Sequence, residues 1–409
     1  MNLGPNTIAS TYQYVLNQSG NSITLGDGQS ANLGAAGVVT TTGDQIVSGI
    51  KIFGQNNSIT SSTNSHVLGG KNNDISGSIY ASVVGGLDNY VGSNYSFIGG
   101  GEKNSLFNAT SVIVGGYENY SAGNNSFIGG GYRNKASASN SVIAGGSLNE
   151  TSGTFSIIGG GLFNKALSYC SSTLGGENNI TSGSYSAVAG GYNNLASGIA
   201  SNIAGGYYNK INKDYSFIGG GAANITSGIY SVIAGGQSNF TNGLNSFIGG
   251  GFANTANGNY SVIAGGNANF TSGYASNIGG GYYNLVNDAY SLIGGGRYNV
   301  IHGYYSFIGG GNDNTASGNY SSIVAGNRAK TAQTHTGAGV WADAQDRDHV
   351  SKGPHTCFLD FASGVYLRLP QFTGSSSQSG NIGELKVSGS GLYICTGENA
   401  WGRTFISAF

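Results

Sequence analysis

A serine recurs at every fifteenth position of this chain from Ser96 to Ser321, without a miss. So short and strict a period leaves few folds open. Helical arrays need units of roughly 33 to 47 residues. Fifteen residues suit one coil of a β-solenoid, with two short strands and two turns. With the serine as position 0, position 2 is almost always Ile or Val, as in Ile98, Ile113, Ile128 and Ile143. Position 4 is Gly from Gly70 to Gly310, position 5 is Gly from Gly86 to Gly326, and position 14 is often Tyr. The SFIG and SVIA segments read as one strand, and positions 13, 14 and the next 0 as the second. Gly-Gly and the Ser-Gly near position 12 supply the turns. The same frame reaches back to His66 and Lys51.

Composition supports this reading. The 409 residues include 75 Gly and 3 Pro, and 8% are charged. A disordered chain would lack the ordered apolar columns, and collagen would need Gly at every third residue. The net charge of −1 gives no electrostatic footprint for nucleic acid and no polybasic patch. There is no apolar run of 18 residues to cross a membrane, and the N-terminal stretch has no basic start or apolar core. Neither membrane insertion nor a signal peptide is therefore expected. Cys170, Cys357 and Cys395 are too far apart in sequence for a metal cluster or a disulfide framework.

Positions 1 and 3 share a face of the strand, and they vary together. Phe97 goes with Gly99, Phe127 with Gly129, and Phe217 with Gly219, whereas Val142 goes with Ala144 and Val232 with Ala234. This is volume compensation on a packed surface. The Ile column faces the other way, so both faces of the strand are expected to be buried. One narrow coil holds an Ile column plus the small residues of position 10, such as Ala136 and Thr151. Its second face needs a partner, and copies of the same chain closed by cyclic symmetry supply one. A homotrimer is expected.

Position 8 is Asn sixteen times running: Asn89, Asn104, Asn119, Asn134, Asn149, Asn164, Asn179, Asn194, Asn209, Asn224, Asn239, Asn254, Asn269, Asn284, Asn299 and Asn314. Its neighbours vary and are often charged. An amide ladder from coil to coil, or a left-handed turn residue, is the structural reading, and a row of ligand-binding amides is the functional one. The ladder is favoured because Asn competes well for backbone hydrogen bonds.

The alternating units YSVIAGG and SFIGGG resemble the YadA-like head repeat of trimeric autotransporter adhesins and of phage and viral fibres. The likeness covers about two-thirds of the chain. AGVWAD (338–343) and FLDFASGV (358–365) are similar to segments that follow such heads, and TTGDQIVSGIKIF (41–53) to a phrase of viral fibre proteins. The resemblance implies a left-handed parallel β-roll, three chains side by side, that displays a binding site. The export signal and membrane-anchor barrel of the autotransporters, and the self-cleaving chaperone of many phage fibres, are not read in this sequence.

The expected organisation is all-β. It comprises an attachment or capping segment (1–50), the 15-residue β-roll (51–335), a transition domain (336–372) and a small C-terminal β domain (373–409). The roll amounts to roughly 18 coils and a rod of about 85 Å. Trp341, Tyr366, Arg368, Tyr393, Trp401 and Arg403 break the monotony of the array and are of the types that dominate recognition surfaces. They are the candidate receptor contacts, although both Trp also suit the cores of capping domains. Asp343, Asp346 and Asp348, near His335, His349 and His355, read as a weak metal site or a solvated loop. No recurring carboxylate pair or nucleophile motif suggests catalysis, and no cofactor is expected. The leading function is a virion tail fibre or cell-surface adhesin that binds a host glycan or protein and docks to a particle or baseplate protein. A spacer stalk is the alternative, with a tailspike glycan hydrolase or an ice binder behind it.

Overall fold

The computed structural model describes residues 22–24, 30–32, 51–52, 54–342, 348–360, 385–388, 391–397 and 400–405. Among them there is no helix. The chain winds as a parallel β-solenoid of about 20 coils. One row of 21 strands runs from Lys51–Ile52 to Cys357–Asp360, and a second row of 20 runs from Ser58–Thr60 to His349–Val350. A third row of single bridges at position 6 runs from Gln55 to Asn327. Successive strands pair fifteen residues apart, as Phe217 with Val232 and Ile225 with Phe240.

The first strand of each coil is at positions 1–2, as expected, but the second is at positions 9–10, for example Ile225–Thr226. Positions 13 and 14 turn instead. Position 14 is left-handed throughout, with φ +56° at Tyr215 and +58° at Tyr320. Its N–H reaches the preceding coil's position 13, as Tyr215 N to Ile199 O at 2.8 Å. The early frame also slips by a residue. His66 pairs with Ser82, and Asn57, Asn73 and Asn89 are sixteen apart, so Ser65, not His66, holds position 0. At the other end, pairing continues past 335. Ser322 pairs with Gly339, and Gly339 with Cys357, in widened coils. At about 4.8 Å per coil the stack is about 95 Å long.

The core is thin. Position 2 supplies Ile or Val and position 10 supplies Ala, Thr, Val, Ile or Leu, and once Ser121, all buried. The apolar core is interrupted once, between Ala166 and Val188. There Thr173 takes the Ile position, and its hydroxyl lies 3.1 Å from that of Thr181. Elsewhere a position-10 Thr sits beside Ile, and the hydroxyls of Thr151, Thr226, Thr241 and Thr271 find no partner among the described residues. Thr173→Ile is therefore expected to raise stability by about 1 kcal/mol, added apolar burial outweighing one lost hydroxyl pair. A thermal melt of the variant beside wild type checks this.

The three-stranded antiparallel sheet of 385–388, 391–397 and 400–405 is separate from the stack in topology, as is the short pair 22–24 and 30–32.

Candidate functional site

The two invariant polar columns are inward ladders. Each ladder Asn from Asn73 to Asn314 is buried. Asn194 is representative. Its Nδ2 donates to Gly190 O at 3.1 Å in its own coil and to Gly206 O at 2.9 Å in the next. Its Oδ1 accepts the backbone N–H of Asn209 at 3.0 Å. The column runs from Asn57 to Asn314 and ends on the N–H of Ala329 at 2.9 Å. The amides are thus spent on the two Gly carbonyls of the corner, of which the position-5 carbonyl also takes a backbone N–H, as Gly206 O does from Tyr192. Many position-0 serines do the same at the opposite turn, although the hydroxyls of Ser156 and Ser261 find no partner among the described residues. Ser291 Oγ donates to Gly303 O at 2.9 Å and accepts the N–H of Ser306 at 3.1 Å. The serine repeat marks the unit in the sequence, but its role comes only from this geometry.

The left-handed residue at the Asn corner is position 7, not Asn. Lys103, Arg133, Phe163, Tyr208, Tyr283, Tyr298 and Asp313 all have φ between +51° and +57°. Backbone bonds from coil to coil hold them there, as Lys103 N to Leu87 O at 2.9 Å. Their side chains are left on the surface. In the N-terminal half the corner carries ion pairs: Lys103 with Glu102 at 3.0 Å and Arg133 with Glu118 from position 7, and Lys135 and Lys165 with Glu150 at position 9. The Arg133 hydrogen bond holds the Glu118 carboxyl below its usual range. In the C-terminal half Tyr208, Tyr283 and Tyr298 stand in the same column with small residues such as Ala223, Ala253 and Ala268 between them.

At position 14, with help from position 13, Tyr260, Tyr274, Tyr290, Tyr305 and Tyr320 make an unbroken ladder with centroids 4.8 to 5.5 Å apart. The last three rings are nearly parallel, so their faces cover one another and their edges meet solvent.

Within one chain the second strand face is not covered. Phe97, Phe127, Phe217, Phe247 and Phe307 at position 1 are each 37–39% exposed. Each ring lies along the glycine two residues on, with Phe217 Cε1 3.4 Å from where a Gly219 Cβ would stand. The paired changes at positions 1 and 3 thus have a local cause: the Phe ring occupies the space above Gly. Leu68, Val84, Val114, Leu174 and Val324 extend the apolar stripe at position 3.

Trp341 lies on strand Gly339–Ala342, pairs with Leu359 and is 47% exposed. Tyr393 pairs with Arg403, and Trp401 with Cys395, across the C-terminal sheet. Tyr366 and Arg368 lie outside the described residues, as do Asp343 and Asp346. Asp348 binds Arg328 at 2.8 Å and Lys330 at 3.4 Å. Desolvation works against its ionisation, but these cations together hold its carboxyl below the usual range. Among the described residues no group of three or more His, Cys, Asp or Glu is placed to hold a metal ion. Comparison with protein-family models and with curated proteins returns no match.

Proposed function

We propose that this chain is a structural and adhesive fibre protein of the YadA-like head type, most closely a phage or viral tail fibre that attaches to a host-cell surface. The observation that carries the reading is the half-exposed Phe stripe running along the solenoid. An apolar stripe of that length is not left in water by a soluble rod. Three left-handed rolls, closed about one axis, cover it. Residues 336–409, with Trp341, Tyr366, Arg368, Tyr393, Trp401 and Arg403, carry the contact with a host glycan or protein, and 1–50 docks to a particle or baseplate protein. The fibre works without catalysis or cofactor: Glu102, Glu118 and Glu150 are each engaged by a basic side chain and not opposed as a hydrolytic pair. A spacer whose binding module lies elsewhere is the second reading, favoured because the array's invariant side chains are consumed by internal ladders.

Light scattering of the intact chain is expected to give three times the chain mass. Phe217→Asp combined with Phe247→Asp should lose that assembly, and a stable, folded wild-type monomer at low concentration would overturn it. Removing 373–409 should leave a folded rod that no longer binds cells. Undiminished binding by that rod would place recognition on the array, and glycan-array binding by the intact chain separates fibre from spacer.

A further inference from the structure

One groove on the array has a chemistry that neither the ladders nor the proposed assembly uses. It crosses coils 268–313, on the corner between positions 7 and 9, a different face from the Phe stripe. Its volume is about 400 Å³. One wall is Tyr283 and Tyr298, stacked 5.8 Å apart and about half exposed. The other is Phe270, Leu285 and Val300, and Asp313 stands at one end. The Asn284 amide beneath is already spent on Gly280 O and Gly296 O, both at 2.9 Å, and on the N–H of Asn299 at 3.1 Å. Polar capacity is therefore concentrated at the Asp313 end.

The same corner shows elsewhere what such a setting accepts. The Arg133 guanidinium lies 5.0 Å from the Tyr132 ring centroid and binds Glu118. The Lys103 ammonium lies 5.2 Å from that of Tyr117 and binds Glu102. Each of these tyrosine–carboxylate corners holds a cation of the chain itself. At 283–313 the tyrosines and the carboxylate are present, but Asp313 forms no ion pair among the described residues. The two arginines beside it are engaged elsewhere: Arg297 donates from Nε to Asn312 Oδ1 at 2.7 Å, and Arg328, one coil on in the same column, binds Asp348 at 2.8 Å.

We propose that this groove is a docking site for a lysine or arginine side chain of a partner protein. The stem of such a side chain is apolar and its head cationic. The stem lies along Phe270, Leu285 and Val300, and the head sits against Tyr298 and Asp313, gaining cation–π and charge-assisted contacts together. A sugar would need hydrogen-bond partners along its length, and the wall of Phe270, Leu285 and Val300 offers none. The site is within the array, and its occupancy does not depend on where the receptor contact lies.

The test uses the full chain and two probes, acetyl-Leu-Arg-Leu-amide and the same peptide with uncharged citrulline for arginine, followed by calorimetry and by NMR of the peptide. The arginine peptide is expected to bind roughly tenfold more tightly than the citrulline peptide, and Asp313→Asn to remove about that factor. Asn accepts the left-handed backbone of position 313 (φ +55°), so the variant should melt like wild type. Tyr298→Leu should weaken binding, lower salt should strengthen it, and Asp214→Asn should change nothing. Equal binding of the two peptides, no detectable binding of either, or an unaffected Asp313→Asn chain overturns the proposal. Tighter binding of choline than of the arginine peptide would assign the groove to quaternary ammonium ligands instead. A fall in assembly mass on Asp313→Asn would make the groove a contact between copies of this chain. Either result also overturns it.

Discussion

An Asn194→Ala chain is expected to melt far below wild type, whereas Asn193→Ala should shift little. The two residues are neighbours of the same type, but Asn194 is buried. Its loss leaves Gly190 O and the N–H of Asn209 without their partner, while Gly206 O keeps the backbone N–H of Tyr192. At about 1–3 kcal/mol for each orphaned buried group, the cost is at least about 2 kcal/mol. Asn193 is the left-handed residue of its corner, with φ +56°. Alanine there costs roughly 1 kcal/mol, and the column already tolerates it at Ala223, Ala253 and Ala268. In a solenoid each coil touches only its neighbours, so the defect divides the rod. If each copy in an assembly carries it, the loss is multiplied. The midpoints of thermal or denaturant unfolding decide it, and equal midpoints would mean that the amide column contributes nothing particular.

Gly235→Ala and Gly236→Ala should differ at least as sharply, although in sequence they are one Gly-Gly pair. A methyl group at 235 meets nothing within 4 Å. At 236 the backbone is at φ +88°, and the methyl would stand inside the carbonyl oxygen of Gly251 in the next coil and 2.7 Å from Nδ2 of Asn239. The obstacle is backbone held in a ladder, so it has nowhere to move. Strain at that φ and overpacking together should cost roughly 3 kcal/mol or more, against a change near zero for Gly235→Ala. Soluble yield and melting temperature of the two single variants provide the comparison, and similar behaviour would show that the coils can separate to accept a side chain.

Much of the architecture is legible in the residues. The period of fifteen identifies the coil, Ile at position 2 and small residues at position 10 mark the core, and the absence of insertions marks the stack. The second strand is harder to read. Besides the positive-φ Gly at position 5, the structure needs two left-handed residues per coil, at positions 7 and 14. Both are enforced by hydrogen bonds to neighbouring coils, not by the residues that occupy them. Arg133, Phe163, Tyr208 and Tyr283 accordingly fill a conformation usually marked by Gly or Asn. With that signal hidden, the turn at positions 13–14 resembles a strand with an aromatic in it. The one-residue slip near His66 escapes notice for a related reason: a sixteen-residue coil costs the ladder nothing where a turn absorbs the extra residue.

The groove at Tyr283, Tyr298 and Asp313 was invisible in the sequence because its members are fifteen residues apart and vary freely along their columns. Nothing in a single repeat distinguishes Asp313 from Glu118. Only the stacked coils show that Arg133 binds Glu118 whereas Arg328, in the same place relative to Asp313, binds Asp348, leaving Asp313 without an ion pair among the described residues. The sequence by itself determined the all-β coil, its period and its buried Ile column, because a strict repeat must bury the same face at every turn. The tertiary structure decided where the second strand lies, which Gly of each pair is indispensable, and which surface charges are already neutralised. Those depend on backbone and side chains brought together from successive coils, a proximity that exists only once the coils are stacked.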